Sequence, residues 1–157
     1  MIKKQSVGIW FNIIVAVLTI VSVIVYSVNI SGEGYFQNAS VANLVAYCVI
    51  AVVMLAAVIA LAQPKVTGTA AIVTEIISGL LRIAVPVLLT LCLVNLISAR
   101  AEGLGFIYFS NADVLQEVQT PANMSSATGT IANMICLGAA AVFAMIAAFF
   151  TLRKKEA

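Results

Sequence analysis

Four long apolar runs punctuate the chain: Val7 to Ile30, Val41 to Ala62, Ile76 to Ser98 and Thr130 to Leu152. Each reaches the ~20 residues that a helix needs to cross a ~30 Å hydrocarbon layer. Polar positions inside the runs are sparse and periodic. In the first, Asn12, Thr19 and Tyr26 recur every seven residues, with Ser22 and Asn29 in the adjoining row. Such a seam faces other helices rather than lipid. In the fourth, Ala132, Cys136, Ala140, Ala144 and Ala148 make a ladder of small residues at four-residue steps, which lets a neighbouring backbone approach closely. The pattern predicts an all-α integral membrane protein, a single transmembrane domain over 1–157 built as a four-helix bundle.

The third run differs in carrying charge. At 100° per residue, Glu75, Gly79, Arg82, Pro86 and Thr90 fall within a band of about 80°, and Asn95 adds a further intramembrane polar residue. A charge at mid-bilayer costs ~2.5 kcal/mol or more, so this stripe reads as a gate, a proton site or a contact to a charged subunit. The plainer reading places Arg82 a turn below the inner surface, snorkelling outward, with Glu75 in the interfacial zone as a loose ion-pair partner. Pro86 is expected to bend the helix, since it removes one backbone bond and crowds the preceding turn.

Composition agrees with the spans and narrows the function classes. The chain is 63% apolar and only 9% charged, against about 25% charged in soluble domains. Its mean hydropathy is +1.14. A net charge of +2, scattered, does not suit phosphate tracking, so nucleic acid is not an expected partner. Histidine, the commonest general base and metal ligand, does not occur. Cys48, Cys92 and Cys136 all fall inside apolar runs and read as small hydrophobes rather than a disulfide framework or a metal site. No Ser/His/Asp set, phosphate-binding glycine loop or paired carboxylate is present, so no enzyme activity and no cofactor are expected.

The placement of cations sets the expected orientation, because Lys and Arg are retained on the cytoplasmic side. Lys3 and Lys4 precede the first run, Lys65 separates the second from the third, and Arg153, Lys154 and Lys155 follow the fourth; the remaining two connections, 31–40 and 99–129, hold only Arg100. Both termini are therefore expected in the cytoplasm of a cell membrane, that of a bacterium. Lys3 and Lys4 before an apolar run also suit a signal peptide, but the run is too long and Tyr26-Ser27-Val28-Asn29 offers no small-x-small cleavage site.

The two external connections share a motif. Tyr35-Phe36-Gln37-Asn38-Ala39-Ser40-Val41 and Tyr108-Phe109-Ser110-Asn111-Ala112-Asp113-Val114 agree at five of seven positions. Flanking matches keep the same order, so the chain reads as two parallel hairpin repeats, 1–65 and 70–155, related by an axis along the membrane normal. The motif serves either as a symmetric external binding cap or oligomer contact, or as an aromatic belt with Asn38 and Asn111 as helix N-caps. Asn38-Ala39-Ser40 and Asn123-Met124-Ser125 also match a glycosylation triplet, a pattern frequent by chance.

The second connection, 99–129, is too long for a simple turn and should be structured. Ser110 with Asp113 resembles a capping box and predicts a short helix from Asn111 to Val118, halted by Pro121. Four helices with both ends inside is a topology similar to that of claudin-like and gap-junction-like proteins; the external loops lack cysteine and share no motif with them, so no family is assigned. The leading expectation is a membrane protein that self-assembles or serves as a small subunit of a larger membrane complex. The alternatives are a small transporter or channel along the Glu75/Arg82 stripe, and a sensor or immunity-type binder using the external aromatic residues.

Overall fold

The structure, a computed structural model, describes residues 6–62 and 67–150. These form five helices and no strand: α1 (Val7–Ser31), α2 (Leu44–Ala62), α3 (Thr69–Phe109), α4 (Ala112–Val118) and α5 (Pro121–Phe149). All but α4 are long and apolar enough to cross a membrane. The four long helices close a ring in which α1 packs on α2, α2 on α3, α3 on α5 and α5 back on α1. Neighbours run antiparallel. Phe11 near the start of α1 stacks on Phe150 just past α5, ring centroids 5.1 Å apart, while Asn29 near the end of α1 bonds Thr130 near the start of α5. Residues 6 and 150 therefore leave from the same end of the bundle, called here the basal end. The opposite end, the head, holds segment 32–43, α4 and the facing ends of α3 and α5.

The bundle is apolar outside as well as inside, the signature of a helix assembly in lipid. Val17, Ile24, Val53, Leu80, Val87, Ile135 and Val142 all point outward. Its axis is filled in two layers, one of Val15, Leu55, Val85, Leu89, Ala140 and Ala144 and one of Tyr26, Leu44, Cys48, Cys92, Leu96 and Leu137. With no water to expel, such helices hold together by close packing and by hydrogen bonds between them. The polar residues of α1 accordingly point inward: Asn12, Thr19, Ser22 and Tyr26 are all buried.

Two expectations about boundaries need correction. The helix of the third span does not stop at Ser98, nor does that of the fourth begin at Thr130: α3 runs eleven residues further and α5 starts nine earlier. Most of the supposed loop 99–129 is helix. Gly103 and Gly105 suggest a turn, yet Leu96, Arg100, Gly103 and Ile107 follow one another at helical spacing and are all buried. Tertiary packing on that face outweighs the ~1 kcal/mol helix cost of each glycine. Pro121 does not so much halt α4 as open α5, standing in its first turn where its missing N–H costs nothing. Pro86 lies inside α3, which continues through it.

Candidate functional site

Polar chemistry is concentrated at three levels of the bundle. Within the bundle the α1 seam faces α5. Ser22 Oγ donates to Asn133 Oδ1, and Asn29 Nδ2 donates to Thr130 Oγ1 at 2.8 Å. Asn12 and Thr19 turn back on their own helix, donating to the Gly8 and Val15 carbonyls at 2.8 Å each. Gly129 makes room for this contact: a methyl group there would lie 3.1 Å from Asn29 Oδ1. Between α2 and α3, the Cys92 thiol donates to the Leu44 carbonyl at 3.7 Å, and Cys48 Sγ lies 3.8 Å from Cys92 Sγ.

At the basal end Arg82 and Glu75 part company. Glu75 is exposed. Arg82 turns to the carboxyl end of α5, where its Nη2 donates to the carbonyls of Ala147 and Ala148 at 2.7 Å each and to that of Phe150. The last carbonyls of a helix have no partner in their own ladder and carry the negative end of its dipole. Arg82 thus caps α5 instead of pairing with Glu75.

The head is built on a second arginine that the charge count places in a loop. Arg100 lies within α3 and is 3% exposed. Its guanidinium sits 4.6 Å from the centre of the Phe36 ring, and its Nη2 donates to the Ala39 carbonyl. Phe36 is the plug of the head, packed with Ile107 and Ala127. Its backbone N–H donates to Ser126 Oγ at 3.2 Å, and Tyr35 meets its ring edge-on with centroids 5.2 Å apart. Two glycines permit this closure. A methyl group at Gly103 would fall 2.6 Å from Tyr35 and 2.7 Å from Phe36, and one at Gly34 would fall 2.5 Å from the Ala122 carbonyl oxygen. Segment 32–43 is further tied by Asn38 N–H to the Ile30 carbonyl at 2.8 Å and by Val41 N–H to the Tyr26 hydroxyl at 2.5 Å.

The two copies of the aromatic motif take different conformations. Phe36 is 3% exposed and Phe109 is 86% exposed. Asn38 has a left-handed φ of 57° and caps no helix, while Asn111 is the N-cap of α4, its side chain accepting from Val114 N–H at 3.0 Å. The capping residue is therefore Asn111 rather than Ser110, whose hydroxyl donates back to the Phe106 carbonyl at 2.7 Å. Tyr35 and Tyr108 both lie in the head, Tyr35 exposed and Tyr108 half-buried on the Phe36 cluster. Along the α5 ladder, Ala140 and Ala144 are in the core, Cys136 and Ala148 are half-buried, and Ala132 is exposed. Asn95 is exposed on α3.

Arg100 is the residue that charge counting passes over. The helical spacing of Leu96, Arg100, Gly103 and Ile107 carries its signal. Arg82 and Arg100 stand eighteen residues apart on one helix, a rise of ~27 Å, close to the ~30 Å hydrocarbon thickness. Each puts its guanidinium on backbone carbonyls, Arg82 at the basal end and Arg100 in the head. Among the described residues no three of Cys, Asp and Glu gather to hold a metal. These features define a four-helix bundle suited to a membrane, with a folded head. No protein-family model, curated protein or solved structure matches the chain.

Proposed function

We propose that this protein is a non-enzymatic, four-span subunit of a cell membrane, working by assembly with copies of itself or with other membrane subunits, its termini cytoplasmic and its head outside. The observation that carries this reading is the filled axis of the bundle. Two layers of apolar side chains occupy it, and Arg82, the one charged member of the supposed pathway that turns inward, is bound to the end of α5. A charge fixed on helix carbonyls serves architecture better than passage. Orientation is supported by charge: Lys3, Lys4, Lys65, Arg153, Lys154 and Lys155 border the basal ends of the helices in sequence, while the head carries Glu33, Glu102, Asp113 and Glu117. The residues 1–5, 63–66 and 151–157 that hold those cations lie outside the described ones. A duplication is supported by helix order alone, since α1–α2 and α3–α5 are successive hairpins in one ring; the two motif copies share no conformation.

The decisive measurement is the particle mass in nanodiscs, with every co-purifying chain identified. A particle containing more than one 16.5 kDa chain, or a stoichiometric second subunit, is the expected result. A lone monomer that conducts a solute or ion in liposomes, with flux lost in both Glu75→Gln and Arg82→Lys, would replace this reading with a transporter.

A further inference from the structure

Between α3 and α5 at the basal half lies an apolar groove of about 420 Å³, lined by Ile83, Pro86, Val87, Leu91, Met145 and Phe149, with Thr90 and Ala148 completing it. That volume is in the range of small-ligand sites, about 300–1,000 Å³. We propose that this groove binds one acyl chain of an anionic phospholipid, with the phosphate held at Arg82. The proposal concerns a lipid site and is independent of whether the protein assembles.

Three observations converge on that occupant. The first is position: Arg82 immediately precedes the lining residue Ile83, and Ala148 both lines the groove and accepts from Arg82 Nη2. A cation therefore stands at the basal mouth of an apolar slot. The second is unused donor capacity. The carbonyls of Ala147, Ala148 and Phe150 all engage Nη2, and Nε is buried without a partner. Thr90 Oγ1, within the groove, is buried and unpartnered as well. Buried polar groups are ordinarily satisfied, so Arg82 Nε and Thr90 Oγ1 are two orphans on the stretch of α3 that borders the groove. The third is length. From Arg82 to Leu91 α3 rises ~14 Å, about half of a ~30 Å hydrocarbon layer. An acyl chain occupies one leaflet to that depth, whereas a partner helix would run the full thickness. Guanidinium groups suit phosphate by planar, charge-assisted hydrogen bonds, and the cations bordering the same end in sequence favour anionic over neutral headgroups.

The test uses the full chain in detergent, titrated with phosphatidylglycerol or with phosphatidylcholine of the same acyl chains and read by native mass spectrometry. One phosphatidylglycerol retained at least tenfold more strongly than phosphatidylcholine is expected. Val87→Trp, which fills the groove and leaves Arg82 intact, should lower that retention about tenfold. Val53→Trp, on the outward face of α2, should leave it unchanged. Arg82→Gln should remove the preference for the anionic headgroup; because it also uncaps α5, Val87→Trp decides the matter if that variant does not fold. Equal retention of the two lipids by the native chain overturns the proposal. So does an anionic preference that survives Val87→Trp, which would assign it to diffuse attraction by the basal cations, and so does a second protein chain occupying the groove.

Discussion

A buried arginine is a commitment by its surroundings, and Arg100 shows what they must supply. Its guanidinium faces an aromatic ring on one side and a carbonyl on the other. Replacing it by leucine leaves the Ala39 carbonyl without its donor, a loss of about 1–3 kcal/mol, and removes a desolvated cation–π contact. Arg100→Leu should therefore lower the thermal unfolding midpoint in detergent clearly, and Arg100→Lys should restore only part, since an ammonium lacks the planar fork. The glycines make a sharper comparison. Gly34 and Gly68 both have positive φ, 133° and 68°, yet a methyl group at Gly68 meets nothing within 4 Å. Gly68→Ala should cost only the backbone strain of placing alanine at φ 68°, ψ −148°, about 1–3 kcal/mol. Gly34→Ala adds a collision with the Ala122 carbonyl oxygen and Ser126, and should be the more destabilising by the same unfolding measurement.

At the scale of elements, α1 and α5 are joined by side chains that bond across the helices at two levels. Hydrogen bonds between membrane helices contribute about 0.6 to 2 kcal/mol, so Ser22→Ala and Asn133→Ala should show coupling of that order in a double-mutant cycle read by unfolding in mixed micelles. Thr19→Val, whose hydroxyl bonds only within α1, should show none with Asn133→Ala. Much of this level was legible in the residues themselves. A seven-residue polar seam in an apolar helix has one sensible place to go, and Asn12, Thr19, Ser22 and Tyr26 are buried. Spans could be placed by length because lipid sets a minimum for each. Where they end could not, because beyond the lipid the minimum no longer applies and packing decides: α3 persists through two glycines because Ile107 lies against Phe36, a contact 71 positions away in the chain. The partner of Arg82 was hidden for a similar reason. Glu75 is the nearer candidate in sequence, but the carbonyls at the end of α5 become acceptors only once α3 and α5 lie side by side.

For the whole molecule, antiparallel order fixes which segments share an end, and the proposed orientation turns the basal end to the cytoplasm. Cysteines placed singly at Gln37 and Gln116, in a background without Cys48, Cys92 and Cys136, should react with an impermeant thiol reagent added outside. One at Lys65 should react only after the membrane is opened. Labelling of the Lys65 site alone would invert the topology. Glu75→Gln should be mild in both assembly and unfolding, because an exposed carboxylate without a fixed partner contributes about 0–1 kcal/mol.

The head also imposes an order of events on synthesis. Phe36 belongs to the first connection to cross the membrane, but its seat is made of Arg100, Gly103, Ile107, Ser126 and Ala127, which follow 64 to 91 residues later. On the proposed orientation the connection therefore waits, translocated and bare, until the second hairpin arrives. A chain halted after α2 should insert and yet remain cleavable beside Phe36 by an external chymotrypsin-like protease, whereas the finished chain should resist. With the head outside, as proposed, accessibility of that one ring should report whether the chain within the membrane has been completed.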